Sequence, residues 1–290
     1  MGGGKKAERI PQTAQKRGIL KYRKMKNKFI LTEYTVSAPL PEKLTVGLIS
    51  DLHEEEPEEA LALLKKGRPD VIMVAGDTFE RHGESRDTMR TTKEGSLEKL
   101  LRGILMKADD VLELVFGKYE HDTEYAWRFL REAGKIAPVF LSVGNHEWYF
   151  LPEDEKVMKE SGAKLLDNAD CLVYIKGMAV RIGGLSTVAD VEWLDRFCAK
   201  DGYRILLCHH PEYYDDYLKD RNLPLILSGH AHGGQIRIGK QGLYAPGQGV
   251  FPKYTKGIYD GRLVVTAGAA NTASVPRWGN PCEVVMIHLG

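Results

Sequence analysis

The chain has 290 residues, 43% of them hydrophobic and 28% charged, which suits one large α/β domain or two small ones in an ordinary globular protein. Lys and Arg (41) balance Asp and Glu (40) to a net charge of +1, and no apolar run approaches the ~18 residues of a membrane span or forms an apolar leader. Cys171, Cys198, Cys208 and Cys282 are scattered without C-x-x-C spacing, the pattern of reduced core thiols, so a cytoplasmic location is expected.

The neutral balance hides an asymmetry. Residues 1–28 carry Lys5, Lys6, Arg9, Lys16, Arg17, Lys21, Arg23, Lys24, Lys26 and Lys28 against Glu8 alone, open with three glycines and lack apolar periodicity. This segment reads as a disordered, solvated basic arm. Its second reading is peripheral contact with an anionic membrane at the inner surface. Nucleic acid is disfavoured as a partner, because the near-neutral body lacks a broad basic face.

After the arm, the β-rich run from Phe29 to Val36 predicts a first strand, and Leu44–Ile49 a second, central one. The second runs into Ser50-Asp51-Leu52-His53, then Glu54-Glu55-Glu56-Pro57 and an amphipathic helix to about Lys66, with acids in its first turn and lysines in its last. A strand from Asp70 to Ala75 ends in Gly76-Asp77, completing a βαβ pattern. In such sheets ligands gather at the carboxyl ends of the strands.

Residues of about 80–136 interrupt this alternation as a helical insertion. Leu97, Leu100, Leu101, Ile104, Leu105, Ala108, Val111, Leu112 and Val115 are spaced for a long helix over Ser96–Phe116, and a second helix is predicted over Thr123–Ala133. The insertion either packs on the sheet or overhangs the strand ends, where it would contact substrate or a second copy of the chain. The strand Ala137–Val143 then delivers Gly144-Asn145-His146-Glu147. A helix over Pro152–Ser161, a hairpin of Cys171–Ile175 and Met178–Leu185, and a helix over Ala189–Lys200 follow. The strand Ile205–Cys208 meets His209-His210-Pro211, and the run Leu223–Leu227 breaks into Gly229-His230-Ala231-His232-Gly233-Gly234-Gln235. Gly/Pro-rich connections and the strands Arg262–Val265 and Cys282–His288 close the chain. Parallel-type units in the first half and hairpin strands in the second point to two sheets packed face to face with helices outside. No linker is evident, so residues 29–290 read as one domain.

Five polar motifs each follow a short apolar run. Asp51, His53, Asp77, Asn145, His209, His230 and His232 offer carboxylate, imidazole and amide oxygen, a set suited to Mn²⁺, Fe²⁺ or Zn²⁺ rather than to thiolate-seeking metals. Each pair alone is as easily a helix cap or a turn. Together they are too many for one ion and suit two divalent ions sharing a carboxylate, with Asp77 the natural bridge. Ions ~3.5–4 Å apart can hold a hydroxide and clamp the oxygens of a phosphoryl centre.

In order, D-x-H, G-D, G-N-H-E, H-x-P and G-H-x-H resemble the calcineurin-like metallophosphoesterase superfamily. The stretch from His230 to Gln235, Pro-Lys-Tyr-Thr-Lys-Gly-Ile-Tyr at residues 252–259 and Pro-Arg-Trp-Gly-Asn-Pro at 276–281 narrow the likeness to the bacterial YkuE/YaeI-type branch. The resemblance implies an α/β, four-layer αββα sandwich of two mixed sheets flanked by helices, with the metals at one edge. Asp51, His53 and His232 would hold the first ion and Asn145, His209 and His230 the second, with Asp77 between. His146 would be the catalytic residue, polarising the phosphate or protonating the leaving oxygen. The implied activity is hydrolysis of a phosphate ester, foremost a phosphodiester, by a metal-bridging hydroxide. A pyrophosphatase acting on a nucleotide-linked lipid precursor and a non-catalytic scaffold of the same fold are the alternatives. The acidic Glu54-Glu55-Glu56 departs from the family, which often places a small residue there; it either faces the phosphate site or caps the following helix.

Overall fold

The computed structural model describes residues 28–81, 122–271 and 277–290. The first sheet is built from β1 (Phe29–Val36), β2 (Leu44–Ile49), β3 (Val71–Ala75), β4 (Val139–Ser142), β5 (Lys164–Leu166) and the last strand, β16 (Cys282–Leu289). Its order is β1-β16-β2-β3-β4-β5, parallel throughout except where β16 meets β2. The second contains β6 (Ala169–Ile175), β7 (Met178–Leu185), β8 (Tyr203–Cys208), β9 (Leu225–Ser228), β14 (Gly257–Tyr259) and β15 (Leu263–Val265). Its order is β14-β15-β9-β8-β7-β6, with the antiparallel pairs β14–β15 and β6–β7 at its two edges.

Period-2 patterning decides how the sheets meet. Leu44, Val46 and Leu48 of β2 and Val71, Met73 and Ala75 of β3 face Val180, Ile182, Ile205, Leu207, Leu225 and Leu227 of the second sheet across one core. The alternate residues, Ile72 and Val74, pack outward with Leu61 and Leu64 of α1 (Glu58–Gly67), Phe129 and Leu130 of α2 (Thr123–Gly134) and Val157 and Met158 of α3 (Pro152–Ser161). On the far side of the second sheet, Leu206 and Ile226 pack with Trp193, Leu194 and Phe197 of α4 (Val191–Cys198) and with Tyr214 of a π-helical turn, Tyr214–Leu218. The result is the expected αββα sandwich of two mixed sheets.

The structure departs from the sequence expectation in connectivity. β16 separates β1 from β2, so the chain's last strand sits among its first. The second sheet is mainly parallel, because β7, β8, β9 and β15 run the same way; only its edges are hairpin-like. The Gly/Pro-rich stretch after the histidine motif folds into two short ladders, β10 (Arg237–Ile238) with β11 (Gln241–Gly242) and β12 (Tyr244–Ala245) with β13 (Gly249–Val250). The acidic run is split. Glu54 is buried against Arg81 and Thr123, while α1 starts beyond Pro57. Of the predicted insertion, α2 is present; the basic arm and the helix predicted over Ser96–Phe116 lie outside the described residues. Among the described residues no helix is long and apolar enough to cross a membrane.

Candidate metal centre

β2, β3 and β4 lie side by side in one sheet, and β8 and β9 in the other, so their carboxyl ends bring all five motifs to one edge. Backbone hydrogen bonds lace the ends together: Asp51 N–H donates to Gly76 O (3.1 Å), His53 N–H to Asp77 O (3.0 Å), Gly229 N–H to His209 O (3.1 Å) and Ala269 N–H to Ser50 O (2.9 Å). The chain turns sharply at each end. Asp51 (φ 53°), His53 (48°), Asp77 (55°), His230 (65°) and His232 (44°) all adopt the left-handed conformation. For non-glycine residues that costs of order 1–3 kcal/mol each, and such strain gathers where a site demands it. Gly144 is required by close approach, since a Cβ there would fall 2.1 Å from Asp77 Oδ1.

All seven expected ligands, with His146, converge. His232 Nε2 lies 3.4 Å from Asp51 Oδ1, and His53 Nε2 3.9 Å from the same oxygen. Asp51, His53 and His232 form one buried cluster, and Asp77, His209 and His230 a second, in each of which the ligand atoms lie within 4.8 Å of one another. Asn145 Oδ1 is 3.1 Å from His209 Nε2, joining the second. Asp77 links the two, its Oδ2 standing 3.7 Å from His53 Nε2 and 3.0 Å from His209 Nε2. Its other oxygen, Oδ1, accepts from His146 N–H (3.0 Å).

The placement of protons at His209 shows why cations fit. His209 Nδ1 lies 2.7 Å from Ala75 O and must donate there, so in the neutral ring Nε2 keeps its lone pair. That lone pair points at Asp77 Oδ2 and Asn145 Oδ1, both acceptors. Acceptors so crowded need a cation between them, and a divalent ion fits this donor set. A proton does the same work less well. Burial by itself lowers the His209 imidazole, but the Asp77 carboxylate reverses this and pushes it up to about 10. Burial raises the Asp77 carboxyl, yet His209 and His146 outweigh that and hold it well below the usual range. Burial, with the charge of His210, keeps His230 well below its usual range; burial takes His232 down to about 3. Both are therefore neutral at neutral pH.

Three carboxylates that the sequence reading did not assign complete the setting. Glu80 stands between two imidazoles, its Oε1 bonded to His53 Nδ1 and its Oε2 2.9 Å from His146 Nδ1. It thereby orients the ring of a ligand and of the catalytic candidate at once. Glu147 accepts four backbone N–H bonds, from Asp77 (3.1 Å), Thr78 (2.7 Å), Phe79 (3.1 Å) and Gly144 (2.8 Å), tying the G-D turn to the G-N-H turn. Asp154 takes Arg81 in two 2.9 Å bonds, while Glu54 takes Arg81 Nη1 at 2.6 Å, so that guanidinium is occupied inside the protein. The signals were present, E three residues after G-D and E ending G-N-H-E, but the partners lie up to 70 residues away.

His146 differs from its neighbours in access. Its side chain is 27% exposed, whereas those of His53 and His209 are fully buried. Burial lowers the ring, but Asp77 and Glu80 outweigh it and push His146 up to about 9, so it holds a proton at neutral pH.

A double-sheet sandwich with two carboxylate–imidazole clusters sharing one aspartate at its strand ends is the architecture of a metallophosphoesterase. Comparison with known sequences agrees. The family model for calcineurin-like phosphoesterases matches residues 44–234, well over half of the chain, and the chain belongs to that family. It is 27% identical over 261 residues to YkoQ of Bacillus subtilis (strain 168), named an uncharacterized metallophosphoesterase, covering 85% of this chain and 83% of that one. It is 24% identical over 254 residues to YpbG of the same organism, an uncharacterized protein, covering 85% and 81%. Among solved structures, TT1561 of Thermus thermophilus overlaps 65% of this chain and 82% of its own at 15% identity, with a TM-score of 0.41. The phosphopantetheinyl hydrolase PptH of Mycobacterium tuberculosis overlaps 77% and 89% at 12% identity, with a TM-score of 0.39.

Proposed function

We propose that the chain is a two-metal phosphoesterase acting foremost on phosphodiesters. The observation that carries this reading is Asp77 Oδ2, set between His53 Nε2 at 3.7 Å and His209 Nε2 at 3.0 Å, with the partly exposed His146 ring beside it. Asp51, His53 and His232 would hold one ion, Asn145, His209 and His230 the other, and Asp77 both. When bound, two divalent ions (Mn²⁺, Fe²⁺ or Zn²⁺) supply Lewis-acid polarisation of phosphate oxygens and lower the pKa of a water molecule.

The protein's own groups do the rest. Glu80 accepts from His146 Nδ1, and Nε2, 3.9 Å from Asp77 Oδ2, is the nitrogen whose proton would meet a non-bridging oxygen or the departing alkoxide. Asp77 Oδ1, through the His146 N–H, fixes the backbone that carries this ring. Arg81 is committed to Glu54 and Asp154 and so adds no charge of its own to the phosphate site. The scaffold alternative calls for a gap in the ligand set or loss of His146, and neither occurs.

The test is a screen of the chain, stripped and reloaded with Mn²⁺, Fe²⁺ or Zn²⁺, against mono-, di- and pyrophosphate esters. Fastest turnover on diesters supports the reading. Preference for pyrophosphates would return the alternative, and no turnover on any ester would end it.

A further inference from the structure

The stretch Arg277-Trp278-Gly279-Asn280-Pro281 has no part in the functional reading so far, yet it lies against the metal centre. Arg237 N–H donates to Trp278 O (2.9 Å), and Ile236 and Trp278 form an isolated β-bridge. Asn280 Nδ2 donates to His232 O (2.7 Å) and to Gln235 O (3.1 Å), so the segment is strapped along residues 232–237. The strap is tight: a Cβ at Gly279 would fall 2.6 Å from Arg237 O, and one at Gly233 2.1 Å from Asn280 Oδ1.

This strapping delivers Arg277 to the site. Its Nη2 stands 3.2 Å from Nδ1 of His232, a residue of the first cluster. Its Nε and Nη1 are shielded from solvent and have no hydrogen-bond partner among the described residues. A guanidinium cannot shed its charge, and a buried donor left unmet is costly, the more so when charged. Arg81, by contrast, has Glu54 and Asp154 for partners. A cation held beside a phosphoesterase centre, with two donors unmet among the described residues, is matched by the one anionic group that must enter it, the substrate phosphate.

We propose that Arg277 is a substrate-binding residue that donates Nε–H and Nη1–H to non-bridging phosphate oxygens of the ester. The proposal rests on the phosphoesterase reading and names a contact within it. Arg277 binds the phosphate group common to substrate and product, so orthophosphate is a sufficient probe.

The experiment uses the metal-loaded full chain, Arg277→Met and Arg277→Lys. Metal per chain is measured by elemental analysis, orthophosphate affinity by calorimetry, and KM and kcat on the best generic ester from the screen. Loss of charged hydrogen bonds should weaken orthophosphate about 10- to 100-fold in Arg277→Met and raise KM in proportion, with metal content unchanged. Arg277→Lys should recover part of that loss. Unchanged orthophosphate affinity in both variants overturns the proposal. So does loss of metal, which would make Arg277 a positioning residue for His232. Because calorimetry needs no turnover, failure of the ester screen with intact orthophosphate binding would count against the activity and not against this contact.

Discussion

His209 Nε2 faces Asp77 Oδ2 across 3.0 Å while His209 Nδ1 is committed to the carbonyl of Ala75. The proposed second metal position is thus built with this lone pair aimed and the ring locked. The same device recurs at His53, whose Nδ1 is taken by Glu80. Ligand orientation is set by groups that would not themselves touch the ion, as metal sites generally require.

The His209 proton makes metal binding pH-dependent. Its imidazole is pushed up to about 10 by Asp77, so at pH 7 the apo protein carries a proton that an ion must displace. Affinity should rise about tenfold per pH unit from about 6 to 9, with one proton released per chain. Calorimetry in buffers of different ionisation enthalpy measures that release. Flat affinity over this range would show that His209 is already neutral.

Replacing His146 should leave the metals and remove turnover. His146 touches Asp77 through its backbone N–H and Glu80 through its ring, and is the most exposed imidazole of the cluster among the described residues. His146→Ala should keep both ions and lose ~10²–10⁴-fold in kcat. Loss of an ion would make His146 a ligand; a nearly normal rate would leave it a structural side chain.

Glu147 is expected to be a stability residue. In Glu147→Gln the amide nitrogen cannot accept the two N–H bonds that one carboxylate oxygen now takes. Two unmet backbone donors at ~1–3 kcal/mol each should cost about 2–6 kcal/mol in denaturant unfolding. A loss below about 0.5 kcal/mol would mean that the two turns hold without it.

The sequence made the ligands legible because each sits beside its own strand end: D-x-H, G-D, G-N-H and H-x-H are local patterns at the close of apolar runs. The strand boundaries Phe29–Val36 and Leu44–Ile49 came out of the same alternation. Long-range relations were hidden. Nothing near Glu80 announces His53, 27 residues away, and nothing in Cys282–Leu289 reveals that it inserts between β1 and β2. β5 has three residues and β10 to β13 two each, too few to show a period. Arg277 lies in a motif legible only as a likeness; its meaning depends on two nitrogens without a partner among the described residues, which only coordinates display.

The central claim is that Asp77 joins two ions, and metal stoichiometry tests it most directly. Elemental analysis with calorimetric titration of the full chain should reach two divalent ions per chain. Asp77→Ala, which removes the oxygen shared by His53 and His209, should hold at most one, and weakly. Saturation of the parent protein at a single ion, with Asp77→Ala binding it equally well, would contradict the account.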